Sequence, residues 1–232
     1  TLKRNPNVKT IIGINQNYAW GQDSWNDFIE SMKVLKPDVK ILDPQWPKLG
    51  AGQYNAEISA LLAADADVVH TSLWGGDLES FILQAAPRDL FKKSLVVLSA
   101  GEHVVDRLET QVPQGTPFGA RGPHNYYAPD NELNRWLRKS YQERYKLTPI
   151  QASYKMAQAF LGVKSAYEKA MDKNGGKHPD QDQIIAAFEH HAWEGPSGKV
   201  EMKLGKGHQA VQGTAIGTVK HEGGKAVAAD IE

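Results

Sequence analysis

The sequence predicts an α/β fold, in which a Rossmann-like parallel sheet is flanked by helices. Four short apolar runs rich in β-branched residues occur in the first hundred residues, and a segment with helical periodicity follows each of them. Apolar strands that alternate with amphipathic helices are typical of a parallel sheet covered on both faces. The four predicted strands are Thr10–Ile14, Val39–Asp43, Val68–Leu73 and Leu95–Ser99.

The helix predicted after the first strand begins at Asp23, a residue type that caps helix N-termini, and ends before Pro37. Its apolar residues recur at three- and four-residue steps, which marks the face turned to the core. These residues are Trp25, Phe28, Ile29, Met32 and Leu35.

Three further helices are predicted after the other strands. The third strand turns at Gly75-Gly76, and Asp77 is expected to cap the helix that follows. The last of the three is short and only weakly periodic. The predicted ranges are about Ala56–Ala64, Asp77–Ala86 and Val104–Thr110.

After about Gly119 the chain is predicted to be mainly helical, with a glycine-rich tail. Asn174-Gly175-Gly176 should end the longest helix in left-handed conformations, and Asp180 with Gln183 resembles a capping box for the next helix. The predicted helices are about Asn131–Tyr145, Gln151–Asp172 and Asp180–His190. The apolar stripe of the second consists of Ala152, Met156, Ala159, Phe160, Val163, Ala166, Tyr167 and Ala170. The tail has predicted strands at Lys199–Leu204, Gly213–Lys220 and Ala226–Ile231, and turns at Gly205–Gly207 and Gly223-Gly224.

The composition argues against several classes of function. Among the 232 residues, lysine plus arginine and aspartate plus glutamate both number 27, and no basic run occurs, so a nucleic-acid surface has no electrostatic support. Cysteine is absent, which excludes thiol catalysis, disulfides and cysteine-ligated metals. No apolar stretch approaches the roughly 18 residues of a membrane span, so the chain is not predicted to cross a membrane.

No enzymatic or metal-binding motif is recognisable, so we predict a protein without catalysis, cofactor or metal. The turn Asn15–Gly21 lacks the three spaced glycines that let a backbone approach a pyrophosphate. Gly195–Lys199 has the wrong spacing for a phosphate loop, and no Gly-x-Ser-x-Gly elbow is present. His190 and His191 are adjacent and would point about 100° apart on a helix, which does not suit one shared ion.

Ligands of parallel sheets bind beyond the carboxyl ends of the strands, which directs attention to three turns. They are Asn15–Gly21, Ser72–Gly76 and Ala100–His103, and they carry Tyr18, Trp74 and Glu102. Glu102 either anchors a ligand ammonium or hydroxyl group, or stabilises the dipole of a helix first turn. Tyr18 and Trp74 either line a pocket or pack in the core. His70 and His103, near strand ends, are further candidates to face a ligand.

Several segments taken in order resemble a known family. They are the strand and turn Ile12–Gly21, the helix Asn55–Leu62 before Ala66–Val69, the helix start Ser153–Gln158, and Trp193–Val200 followed by Gly207–Gln209. The chain resembles the type I periplasmic binding proteins, specifically the branched-chain amino-acid (leucine/isoleucine/valine) class of ABC-transporter solute receptors. The resemblance extends over essentially the whole chain.

The resemblance implies two α/β lobes that close around a ligand held in the cleft between them. Residues 1–118 and 208–232 then correspond to the second lobe, and residues 119–207 to the later part of the first. The family's opening section is absent, so the first lobe is expected to be incomplete and to leave apolar stripes exposed. We therefore expect this chain to be part of a longer one, which an intact mass equal to this sequence alone would contradict.

The resemblance also implies roles for individual residues. Tyr18 is expected to contact the ligand, and so is Leu73 or Trp74, with a one-residue ambiguity in the alignment. Glu102 is expected to bind the ligand's amino group, and Tyr154 to line the cleft from the other lobe. The family's carboxylate-binding residues belong to the absent section.

The predicted function is that of an extracytoplasmic solute-binding receptor of an ABC importer, which delivers a small amino acid or carboxylate-bearing metabolite to an inner-membrane permease. The predicted location is periplasmic, or that of an extracytoplasmic lipoprotein, with a signal peptide outside this chain. A ligand-sensing regulatory domain on the same fold is one alternative, which an upstream signal peptide would disfavour. A Rossmann-like enzyme is the other, which turnover of a bound molecule would favour.

Overall fold

The computed structural model describes residues 1–3, 5–203 and 209–232. The chain divides into two compact units, the first formed by Thr1–Ala120 and Ile216–Glu232 and the second by Arg121–Ala215. The assignment of residues 1–118 with 208–232 and of residues 119–207 to family lobes stays a prediction. Two of those limits, residues 207 and 208, lie outside the described residues, and so does the predicted turn at Gly205–Gly207.

The first unit alternates strands and helices, as the periodicity of the sequence predicts. In chain order these elements are β1 (Thr10–Ile14), α1 (Ala19–Leu35), β2 (Lys40–Ile41), α2 (Asn55–Ala64), β3 (Val68–Thr71), α3 (Gly75–Ala85), α4 (Leu90–Lys93), β4 (Leu95–Leu98), α5 (Glu102–Leu108) and β5 (Pro117–Ala120). Two short 3₁₀ turns, Ala86–Arg88 and Glu109–Gln111, follow α3 and α5.

The second unit is mainly helical and ends in short strands. Its elements are α6 (Glu132–Tyr145), α7 (Gln151–Lys173), α8 (Gln181–Phe188), β6 (Ala192–Gly195), β7 (Gly198–Met202) and β8 (Ala210–Val211). The last two strands of the chain, which join the sheet of the first unit, are β9 (Ala215–Glu222) and β10 (Lys225–Ala229).

A seven-stranded sheet with the order β10-β9-β5-β4-β3-β1-β2 forms the centre of the first unit. Strands β1 to β5 pair in parallel, whereas β9 and β10 pair antiparallel. The register places Ile14 beside Thr71 and Thr71 beside Leu98, so β1, β3 and β4 end at the same level. The predicted α/β class with a parallel sheet flanked by helices is confirmed.

Two predicted helix caps in the first unit are wrong. Helix α1 begins at Ala19 rather than at Asp23, and α3 begins at Gly75 rather than after Asp77. In both helices the N-cap is an aromatic residue with extended backbone, Tyr18 or Trp74, and its side chain makes no capping hydrogen bond. The sheet imposes these starts, because each strand ends only a few residues earlier. The second strand is also shorter than predicted, since only Lys40 and Ile41 pair as a strand.

Local signals in the second unit predict the helix ends well. Asn131 caps α6 by accepting from the Asn134 N–H group, and Asp180 with Gln183 forms the predicted capping box. Gly175 and Gly176, which follow the end of α7, have positive φ angles of 64° and 80°. Helix α8 stops at Phe188, two residues earlier than predicted, and His190 adopts a positive φ of 53°.

The apolar stripe of α7 is only partly buried. Ala166 and Ala170 pack against α8, but Met156, Phe160 and Val163 remain 59%, 70% and 51% exposed. These exposed side chains agree with the expectation that an incomplete first lobe leaves apolar stripes exposed. None of the helices in the described part of the chain has the length and apolar character required to cross a bilayer.

Candidate functional site

The three turns singled out in the sequence lie at one edge of the sheet in the first unit. Because β1, β3 and β4 are adjacent and end at the same level, the turns that follow them are neighbours. Asn15 ties the first turn to the second, since its Oδ1 atom accepts from the Ser72 N–H group at 2.9 Å and from the Ser72 hydroxyl at 2.8 Å. The Trp20 indole donates to the Ser72 carbonyl oxygen at 3.0 Å and adds a second link.

Two of the predicted site residues, Tyr18 and Trp74, meet directly. The Trp74 Nε1–H group donates to the Tyr18 hydroxyl oxygen at 2.9 Å, although 56 residues separate them in the chain. Trp74 is 40% exposed and Tyr18 is partly buried, so the pair forms an aromatic surface that solvent reaches. Leu73 is fully buried, and its N–H group donates to Thr71 Oγ1 at 3.1 Å. Of the two residues in the ambiguous alignment, only Trp74 presents its side chain at the surface.

Glu102 is the first residue of α5 and is 3% exposed. The preceding Gly101 is required by packing, because a Cβ atom there would lie 2.6 Å from Leu98 Cβ. His103 brings this turn to the start of α3, where its Nε2 atom lies 3.4 Å from the Gly75 carbonyl oxygen. A Cβ atom on Gly75 or Gly76 would meet nothing within 4 Å, so the start of α3 borders open space. This position of Glu102 is compatible with a role as a ligand anchor and with a role in stabilising the dipole of α5.

A buried carboxylate that the sequence did not reveal supports the first two turns. Asp77 is 8% exposed, and its Oδ2 atom accepts from Gln16 Nε2 at 2.6 Å and from the Gly50 N–H group at 2.8 Å. Burial opposes ionisation of Asp77, but the hydrogen bonds from Gly50 and Gln16, together with the nearby Tyr54 hydroxyl, outweigh it and lower its pKa. Burial, together with the charge of Asp77, raises the pKa of the Tyr54 hydroxyl.

We expect Asp77→Asn to lower the free energy of unfolding by about 1.5–3 kcal/mol, the usual size of hydrogen bonds to a buried charged group. Because the folded state lowers the pKa of Asp77, the contribution is present above the unfolded pKa of about 3.9 and is lost as the pH falls through the folded pKa. Urea unfolding should therefore show a constant difference between wild type and variant from about pH 5 to pH 7 that shrinks below about pH 4. Asp27→Asn, at an exposed position of α1, is the control. A difference that grows on acidification would contradict the assignment.

Tyr154 lies in the second unit, near the start of α7. It is 1% exposed, and its hydroxyl donates to Asn134 Oδ1 at 2.6 Å. Asn134 in turn donates to the carbonyl oxygens of Asn125 and Pro129, at 3.1 and 2.9 Å. The hydroxyl of Tyr154 thus fixes the start of α7 to α6, and Asn134 continues the link to the segment before α6. The predicted ligand contact of Tyr154 stays a prediction.

Two of the described histidines, His70 and His191, are held by packing and by a hydrogen-bond partner. His70 is 3% exposed and stacks on Phe28 with a ring-centroid distance of 4.4 Å, so the expectation that it faces a ligand is wrong. Burial lowers the pKa of His70 to about 3, which keeps it neutral. His191 Nε2 lies 2.9 Å from Ser165 Oγ. Within the described residues, no group of three or more His, Asp or Glu side chains could hold a metal ion.

Comparisons with known proteins agree with this architecture. A family model described as "Periplasmic binding protein" matches residues 1–225. No curated protein sequence matches the chain significantly. The fold is similar to that of a solute-binding protein of an ABC transporter from Rhodopseudomonas palustris BisB5, solved with 3,4-dihydroxybenzoic acid. That protein is 19% identical with a TM-score of 0.80, and the match covers 98% of this chain and 61% of that chain.

Two further solved structures are similar. A leucine-binding protein from Thermotoga maritima is 17% identical with a TM-score of 0.75, over 99% of this chain and 62% of that chain. An ABC-type branched-chain amino acid transporter protein from Rhodopseudomonas palustris CGA009 is 22% identical with a TM-score of 0.68, over 95% of this chain and 58% of that chain. At these identities the likeness shows the fold. The chain spans about three-fifths of the length of these structures, from 58% to 62%.

Proposed function

Because the chain belongs to the periplasmic binding protein family, we propose that it is an extracytoplasmic solute-binding receptor of an ABC importer. The proposed solute is a small amino acid or another carboxylate-bearing metabolite. The observation that carries the proposal is the row of three turns at the sheet edge, where an exposed Tyr18–Trp74 pair adjoins the turn of Glu102.

The chemistry of these residues supports a binding role. Tyr18 and Trp74 offer an apolar surface with polar edges, on which a side chain or ring of the solute can pack. Glu102 is the proposed anchor for a ligand ammonium group, since a carboxylate makes strong charge-assisted hydrogen bonds with such a donor. Leu73 is proposed to contribute through its main chain, because its side chain belongs to the core. Tyr154 is retained as a proposed contact on the family resemblance.

The family and its solved neighbours are solute-binding proteins rather than enzymes, which supports a role without catalysis. We propose an inner-membrane permease of the importer as the macromolecular partner. A periplasmic location, or that of an extracytoplasmic lipoprotein, follows from the same proposal. The neighbours' solutes, leucine and 3,4-dihydroxybenzoic acid, define the two chemical classes to be tested first.

A thermal-shift screen tests the proposal. We expect one compound from a panel of amino acids, aromatic acids, amides and urea to raise the melting temperature, because a ligand that binds only the folded state stabilises it. At a concentration about a thousand times Kd, the stabilisation is about 4 kcal/mol. The screen is run on this chain and on the longest natural form of the protein.

The control for the screen is Trp74→Ala, which removes the exposed ring of the aromatic pair. This variant should fold but lose most of the ligand-induced shift. The receptor proposal would be contradicted if no compound of the panel raised the melting temperature of the longest natural form. Conversion of a bound compound into a product would also contradict it.

A further inference from the structure

The turn that ends α7 contains an Asn-Gly pair, Asn174-Gly175. Asparagine is among the thermolabile residues, because the main-chain nitrogen of the following residue can attack its side-chain amide. A Cβ atom on that following residue hinders the attack, whereas glycine has none and gives the main chain a wide conformational range. Asn174 is the only asparagine in the sequence that is followed by glycine. The pair is therefore a candidate for spontaneous modification.

The side chain of Asn174 is held by long hydrogen bonds only. Its Nδ2 atom donates to the His178 carbonyl oxygen at 3.3 Å and to that of Lys177 at 3.5 Å, whereas such bonds usually span about 2.7–3.2 Å. Asn131, which caps α6, differs because its Oδ1 atom accepts from the Asn134 N–H group at 2.8 Å. Asn174 can therefore change its side-chain conformation without losing a short hydrogen bond.

The attacking nitrogen, that of Gly175, is accessible as well. Its N–H group donates to the Asp172 carbonyl oxygen at 3.3 Å, again beyond the usual range of about 2.7–3.2 Å. Gly175 and Gly176 are exposed, and a Cβ atom on either would meet nothing within 4 Å, so the space beside this nitrogen is open. Residues 172–178 contain no apolar side chain. The turn is therefore separate from the exposed apolar stripe of α7.

From this arrangement we propose that Asn174 is a site of spontaneous deamidation, a modification whose only co-reactant is water. The Gly175 nitrogen bonds to Cγ of Asn174 while the bond from Cγ to the side-chain nitrogen breaks. That side-chain nitrogen leaves as ammonia and takes up the proton that Gly175 loses. Water then opens the cyclic imide at one of its two carbonyl carbons. One opening gives aspartate, and the other gives isoaspartate, in which the side-chain carbons have become part of the main chain.

Both products place a new carboxylate at the C-terminal end of α7. Asn174 is the C-cap residue, and its N–H group donates to the Ala170 carbonyl oxygen at 3.1 Å. The negative end of the helix dipole lies there, so the new charge is unfavourable. The exposed cations of Lys173 and Lys177 offset only part of this repulsion. Because α7 packs on α8 through Ala170, deamidation should loosen this contact as the protein ages.

Peptide mapping after prolonged incubation in warm, mildly alkaline buffer tests the proposal. Chymotrypsin should release residues 168–188, in which Asn174 is the only asparagine, and residues 128–136, which contain Asn131 and Asn134. We expect the first peptide to gain the mass difference between a hydroxyl and an amino group and to separate into aspartate and isoaspartate forms. The second peptide should stay unchanged. The measurement is made on the longest natural form of the protein, both folded and unfolded in urea.

The matched control is Asn174→Gln, which keeps an amide but requires a larger ring that forms more slowly, so its peptide should stay unchanged. Conversion that persists in this variant would overturn the proposal, because it would come from Gln181 or Gln183. Conversion in urea without conversion of the folded protein would also overturn it, since the fold would then protect the pair. The same conclusion would follow if Asn131 or Asn134 converted faster, or if no peptide converted at all.

The effect on stability is tested with Asn174→Asp, which reproduces one of the two products. Its melting temperature should lie about 1–4 °C below that of the wild type, the scale of one unfavourable charge at a helix end. Asn26→Asp, at an exposed position within α1, is the control and should leave the melting temperature unchanged. Equal melting temperatures of Asn174→Asp and wild type would contradict the loosening of α7. None of these measurements depends on the outcome of the solute screen.

Discussion

Replacing Glu102 with glutamine is expected to weaken the binding of an amine-bearing ligand by about ten- to a hundredfold. The substitution keeps the shape of the side chain and removes its charge. A hydrogen bond to a charged group contributes about 1.5–3 kcal/mol, and about 1.4 kcal/mol corresponds to a factor of ten in Kd. Because Glu102 is only 3% exposed, solvent screens its charge less than that of a surface carboxylate.

The measurement is isothermal titration with the amino acid that raises the melting temperature. Glu109→Gln, which changes an exposed carboxylate just beyond the end of α5, is the control and should leave Kd unchanged. Loss of the charge at the start of α5 should also cost about 0.3–1 kcal/mol of stability through the helix dipole. If Glu102→Gln lowers the stability but leaves Kd unchanged, Glu102 stabilises the helix and does not bind the ammonium group.

The four strands of the first hundred residues could be predicted in position, and so could the capping box of α8, because their signals are local, whereas β5, β6 and β8 were not predicted. Runs such as Thr10–Ile14 are apolar and β-branched, and the observed β1 has the predicted bounds. The capping box of α8 joins Asp180 and Gln183, residues three positions apart, so the sequence pattern is sufficient to predict it. The starts of α1 and α3 depend instead on where the sheet ends. Asp77, a good cap by residue type, accepts hydrogen bonds from Gln16 and Gly50 instead.

The candidate site could be predicted in position but not in its internal contacts. The rule that ligands bind beyond strand carboxyl ends directed attention to Tyr18, Trp74 and Glu102. The hydrogen bond between Tyr18 and Trp74, and the one between Gln16 and Asp77, join residues 56 and 61 positions apart. No sequence pattern links such pairs. The sequence does place Asn15 and Gln16, two polar residues, directly after an apolar strand, but that position does not identify their partners.

The first turn also contains a close backbone contact that Gly21 alone permits. A Cβ atom at Gly21 would collide with the Gln16 carbonyl oxygen, which accepts from the Tyr18 N–H group at 2.8 Å. The neighbour is main chain, so it cannot move aside as a flexible side chain can. Relief of the collision must displace the turn that carries Tyr18 and the Gln16 side chain bonded to Asp77.

We therefore expect Gly21→Ala to lower the free energy of unfolding by about 2 kcal/mol, because overpacking costs about 1–3 kcal/mol and the higher helix propensity of alanine offsets part of it. The melting temperature should fall by about 4–8 °C. The matched control is Gly76→Ala, also in the first turn of a helix that follows a central strand, where the new Cβ meets nothing within 4 Å. That variant should be neutral or up to about 1 kcal/mol more stable. Equal effects of the two substitutions in calorimetry would show that helix propensity, and not the contact with Gln16, governs the position.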